Sequence, residues 1–133
     1  MSMADSIFTK IIQGKIPSHK VYEDDYTYAF MDIHPIQPGH VLVVTKTPAE
    51  TIYDLPDEDY KALWDAVRKI ANKLMQVFPE KKRIGIMVEG LDVPHTHVKI
   101  IPIDTGDEFR TKPDLSAEPD HPALAAMARK LSL

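Results

Sequence analysis

The sequence predicts an α+β domain: a five-stranded, mostly antiparallel sheet with one long helix packed on it and short helices near its ends. Three observations carry this. Five short runs rich in β-branched residues lie between turn signals. One long segment, Asp57 to Phe78, repeats its apolar residues at helical spacing. The connections between the early strands are too short for crossover helices, so neighbours pair antiparallel.

The elements follow in chain order. Ser6 is placed to cap a short helix over Ile7 to Gln13, with Ile7, Ile11 and Ile12 near helical spacing, and Gly14 stops it. Val21 to Glu23 and Thr27 to Asp32 read as two strands joined by a polar turn at Asp24-Asp25. Pro35 to Gly39 is a stiff loop, and His40 to Thr45 is the third strand. Asp57-Glu58-Asp59 suits the positive end of the long helix, whose stripe includes Leu63, Trp64, Val67, Ile70, Leu74 and Phe78 before Pro79 ends it. Ile84 to Val88 and Thr96 to Pro102 are the last two strands. Asp104 to Pro119, rich in Pro, Asp and Thr, reads as an extended or mobile loop, and Pro122 to Leu131 as a closing helix.

Composition bounds the function. With 133 residues, the chain suits a single domain over 1–133, with its core at about 6–102 and a C-terminal loop and short helix at 103–133. Hydrophobic content of 44% and charged content of 27% are ordinary for a globular protein. A formal net charge of −4 argues against a nucleic-acid partner. No run of the ~20 apolar residues that cross a bilayer occurs, and the first ten residues lack the apolar core of a signal peptide, so no membrane partner and a cytoplasmic location are expected. There is no cysteine, and the six histidines have no metal-ligand spacing. No metal and no cofactor are expected.

The chemistry concentrates in Val93-Pro94-His95-Thr96-His97-Val98-Lys99-Ile100-Ile101-Pro102. Side chains alternate along a strand, so His95, His97 and Lys99 share one face. Two imidazoles and an ammonium in a row read either as a solvent-facing strand or as a site for an anionic group, with an imidazole available as a nucleophile.

This stretch resembles the signature of the histidine triad (HIT) family, in which three histidines alternate with apolar residues. His95 and His97 match the first two; Lys99 stands where the family has its third histidine, and Thr96 is less apolar than the pattern. Further segments are similar to the family in order and spacing: Ser6 to Pro17, Val21 to Asp25, Ala29 to Ile33, and Pro35 to Val44. The resemblance implies a HIT-like fold, a two-fold homodimer, and a place in the Hint-like branch of nucleotide-binding hydrolases and transferases. Many relatives carry Cys-x-x-Cys near the start as part of a structural zinc site. Here Ser6 and Thr9 stand at those positions, and neither hydroxyl is a good zinc ligand.

The same resemblance assigns roles. It makes His97 the nucleophile towards the α-phosphorus of a purine nucleotide derivative, with His95, His40 and Lys99 completing the catalytic set. It gives the ribose to Asp32 and a place in the nucleotide site to Asp92. It has Ile7, Phe8, Ile11, Ile16, Phe30 and Ile33 wall a nucleobase slot; read on their own, these six are core residues. The expected substrates are nucleoside phosphoramidates or dinucleoside polyphosphates. Leu91 departs from a glutamine common in relatives. Two alternatives stay open: a nucleotide-binding module with little turnover because Lys99 replaces a histidine, and a protein-interaction role with a vestigial pocket.

Overall fold

The computed structural model describes residues 5–133, so the N-terminal reading over residues 1–4 lies outside the described residues. Five strands form one sheet in the order β1-β2-β3-β5-β4, every neighbouring pair antiparallel. They are β1 (Lys20–Glu23), β2 (Thr27–Met31), β3 (Val41–Thr45), β4 (Arg83–Met87) and β5 (His97–Ile103). The helices are α1 (Ile7–Ile12), α2 (Asp57–Val77), α3 (Gly106–Phe109) and α4 (His121–Leu131), with a 3₁₀ turn at Ile52–Asp54.

Local chemistry sets these bounds. The Ser6 Oγ accepts the Thr9 N–H at 3.1 Å, which caps α1. The β1–β2 turn is held by Asp24, whose Oδ1 accepts the N–H groups of Tyr26 and Thr27, each at 2.8 Å. Asp120 caps α4 by accepting the Ala123 N–H at 3.1 Å.

The two faces of the sheet bury different things. Val21, Ala29, Met31, Val41, Val43, Val98 and Ile100 pack on Leu63, Ala66, Val67, Ile70 and Leu74 of α2, and α4 adds Leu124, Ala128 and Leu131. The intervening residues Tyr28, Phe30, Leu42 and Val44 turn the other way and pack on Phe8 and Ile11 of α1. Pleat alternation thus sorts each strand into a helix-facing set and an α1-facing set.

Two expectations need correction. The segment after β5 is not simply an extended loop: Thr105 and Glu108 form a capping box that starts α3, Thr105 Oγ1 accepting the Glu108 N–H at 3.2 Å and Glu108 Oε1 accepting the Thr105 N–H at 3.1 Å. Ile7 and Ile33 are not core residues, being 49% and 42% exposed. Among the described residues, no helix is long and apolar enough to cross a membrane.

Candidate functional site

The site grows from β5. Register pairs Val44 with His97 and Leu42 with Lys99, which puts both β5 side chains on the α1-facing side. His97 is 5% exposed and packs against Phe8, with ring centroids 4.9 Å apart. Its Nδ1 lies 2.7 Å from the His95 carbonyl oxygen. A carbonyl only accepts, so Nδ1 carries the proton and donates, leaving a lone pair on Nε2. Among the described residues, nothing is hydrogen-bonded to that nitrogen. Burial pushes the His97 imidazole below its ordinary value of 6.5. Lys99 and His95 act in the same direction, while the bond to the His95 carbonyl and Glu89 oppose it. A mostly buried, neutral imidazole with a free Nε2 is chemically able to act as a nucleophile.

His95 does different work. It is fully buried, and its Nε2–H donates to the Thr45 carbonyl at 2.7 Å. Its Nδ1 then accepts from the Ser6 hydroxyl at 2.7 Å, with the Thr9 hydroxyl at 3.5 Å. The two hydroxyls at the start of α1 therefore converge on His95 and tie that helix to β3 and β5. Burial lowers the His95 pKa, against the opposing bond to Thr45.

His40 and Asp32 meet at the far end of β3. Gly39 has φ +89° and would press a Cβ to 2.8 Å from the Phe78 ring, so only glycine allows the chain to turn into β3 here. The next residue, His40, is 3% exposed; its Nδ1 accepts the Ile36 N–H at 3.3 Å, which leaves its proton on Nε2, 3.5 Å from Asp32 Oδ2. Burial lowers the His40 pKa; Asp32 opposes this and Lys99 adds to it. The other Asp32 oxygen accepts the His34 N–H at 2.8 Å. Lys99 Nζ lies 3.3 Å from Glu89 Oε1.

Phe8 packs on His97, Ile11 and Phe30 are buried in the same cluster as Phe8, Ile16 is half-buried against that cluster, and Ile7 and Ile33 leave apolar surface open to solvent. Asp92 is not brought in: it is exposed on the β4–β5 connection and makes no hydrogen bond among the described residues. Sequence reasoning missed Thr45 and Glu89. Thr45 contributes a carbonyl, which no side-chain pattern reveals. Glu89 follows an edge strand whose partner is set only by the fold. Among the described residues, no three metal-ligating side chains cluster.

Residues 13–106 match the HIT domain family model. The chain belongs to the HIT-domain family. It is 42% identical over 111 residues to a Bacillus subtilis protein named Hit, covering 77% of this chain and 74% of the relative. It is 33% identical over 100 residues to an adenosine 5′-monophosphoramidase of Saccharomyces cerevisiae, covering 74% and 63%. It is 31% identical over 103 residues to an adenylylsulfatase of Arabidopsis thaliana, covering 74% of this chain and 52% of that one. A HIT-like protein of Bartonella henselae has a solved structure with a TM-score of 0.78 and 32% identity, over 96% of this chain and 94% of that chain. The α+β HIT-like fold with its five-stranded antiparallel sheet is thus shared with a solved relative, and hydrolases of adenylyl compounds occur among HIT relatives.

Proposed function

We propose that this HIT protein is a nucleotide hydrolase or nucleotidyl transferase acting on purine nucleoside phosphate derivatives, phosphoramidates or dinucleoside polyphosphates, through a nucleotidyl-histidine on His97. One observation carries this reading: the hydrogen bond from His97 Nδ1 to the His95 carbonyl, which leaves a lone pair on Nε2, unpartnered among the described residues, at the mouth of a mostly buried ring. The adenosine 5′-monophosphoramidase and adenylylsulfatase among the relatives support the substrate class.

In this mechanism His97 Nε2 forms a bond to the α-phosphorus. The bond to the leaving group breaks, its electron pair leaves with that group, and the departing atom takes a proton from solvent. Water then attacks the phosphorus, the N–P bond breaks back onto Nε2, and the proton returns to solvent. Lys99 stands at the third triad position as a fixed positive charge for phosphoryl oxygens, since an ammonium donates but does not accept. Asp32 holds the ribose, and Phe8, Phe30 and the exposed Ile7 and Ile33 form a base slot whose flatness gives affinity with little discrimination.

Residues 1–133 form one such domain, placed in the cytoplasm on this reading, with which the absence of cysteine is compatible. It works as a homodimer: β4 is an edge strand with its backbone groups open along one side, and Ile86 in it and Val88 just past its end are 44% and 38% exposed. Light scattering that returned the mass of one 15.0 kDa chain at micromolar concentration would refute the dimer.

A second reading has a specific observation behind it. Lys99 is already paired with Glu89, which suits a static phosphate clamp in a binding module with little turnover. Incubation with adenosine 5′-phosphoramidate separates the two. The enzyme releases AMP over many turnovers and His97→Ala does not. A binding module holds AMP in calorimetry but releases none from the phosphoramidate.

A further inference from the structure

A cavity of about 140 Å³ opens beside His97, lined by Glu50, Thr51, Tyr53, Glu89 and Gly90 among others. Two glutamates, and no lysine or arginine, are among its lining residues. The nearby Lys99 ammonium is 3.3 Å from the Glu89 carboxylate and is not among the residues that line the cavity. A feature independent of the acids points to a ligand there. His97 is among the lining residues, is 5% exposed, and its Nε2 makes no hydrogen bond among the described residues.

The sheet order says which part of a substrate this cavity takes. Phe30 on β2 and Asp32 just beyond it lie two strands from His97 on one side, while β4 lies on the other. Met87 pairs with Lys99, and two residues further along the same alternation the chain presents Glu89 towards His97. A nucleoside bound over Phe30 and Asp32 with its phosphorus at His97 therefore points its remaining substituent towards β4. In a phosphoryl displacement the attacking and leaving atoms stand roughly in line, so that substituent is the leaving group.

We propose that Glu89 and Glu50 select the leaving group by charge, so that the preferred substrates are nucleoside phosphoramidates whose amine carries a further positive charge. Anionic leaving groups, such as sulfate or a nucleoside polyphosphate, are disfavoured by the same carboxylates. The inference rests on His97 being the nucleophile. Like charge across a recognition site excludes wrong partners, while opposite charge accelerates encounter and holds the right one.

The test uses three AMP phosphoramidates with the same scissile P–N bond: N-(4-aminobutyl), N-butyl and N-(3-carboxypropyl). In the wild type, kcat/KM falls in the order cationic, neutral, anionic. Glu89→Gln and Glu50→Gln each shrink the cationic-to-anionic ratio by about threefold to tenfold, the range of one partly exposed charge contact. The wild-type ratio also shrinks as salt is raised, a readout that needs no variant. An equal or reversed order in the wild type overturns the proposal, as does a ratio that neither substitution nor salt moves. If none of the three compounds is turned over and no adduct forms on His97, the proposed hydrolase activity fails instead, and the two failures are told apart by whether the neutral N-butyl compound reacts.

Discussion

Val98 and Ile100 point towards α2, into a layer made of aliphatic side chains. Their neighbours His97 and Lys99 point towards α1, among Phe8, Phe30, the paired His40 and Asp32, and the glutamate of β4's end. The two sets sit on one strand, a residue apart. On the α2 side, stability comes from non-directional burial, and many aliphatic combinations of the right volume would serve. On the α1 side, buried polar groups are held one by one: His97 by a carbonyl, His95 by a carbonyl and a serine, and His40 by a backbone N–H at Nδ1, while its Nε2 approaches Asp32 Oδ2 to 3.5 Å without a hydrogen bond. Polar groups buried in that way cost stability unless each is satisfied, and they repay that cost by being fixed in one tautomer and one direction.

The sharpest way to break the comparison is to truncate adjacent residues. Ile100→Ala should lower unfolding stability by about 2–5 kcal/mol, as for a fully buried aliphatic side chain. Lys99→Ala should change it by no more than about 0.5 kcal/mol, because the lysine is a quarter exposed and its ion pair is of the surface kind. Denaturant titration of both variants checks this; similar losses would show that the faces do not divide the work. The same Lys99→Ala change should slow formation of the covalent intermediate by roughly 10²–10³.

A smaller effect tests ligand recognition on the α1 side. Asp32→Ala should weaken AMP binding by about 1–3 kcal/mol, the usual cost of losing hydrogen bonds to a charged acceptor, and 2′-deoxy-AMP should lose part of that energy already in the wild type. Equal AMP affinity in calorimetry for wild type and variant would remove Asp32 from the ribose role.

The smallest effect is on pH dependence. His40, His95 and His97 are all held below their ordinary value of 6.5 in the folded chain, by burial first. Below pH 6.5 the unfolded chain therefore takes up protons that the folded chain does not, so stability falls as the pH drops from 6.5 towards the folded values. Activity follows the same sign, because His97 must be unprotonated: the acid limb of kcat/KM should be centred below 6.5. A limb centred at or above 6.5 would mean that the imidazole is not desolvated as described.

The α2 side was legible in the sequence because its signal is periodic. The Leu63, Val67, Ile70, Leu74 stripe and the alternation of β5 each give the correct face without any knowledge of partners. His97, His95, His40 and Asp32 were legible as candidates, and the fold brings His40 to Asp32 and His97 beside Phe8. What could not be read were contacts set by strand order. Glu89 reaches Lys99 only because β4 joins the sheet beside β5, and His95 meets Ser6 across 89 residues of chain. Asp92, close to the motif in sequence, is carried away by its loop. The Thr105-Gly106-Asp107-Glu108 capping signal was legible and outweighed by the surrounding turn-forming composition.

The most direct test of the central claim is the intact mass of the protein quenched after brief mixing with an activated adenylate. The account predicts an added nucleoside monophosphate in the wild type and in Lys99→Ala, more slowly in the latter, and none in His97→Ala. An adduct that persists in His97→Ala, or hydrolysis by the wild type with no adduct at any time, would contradict it.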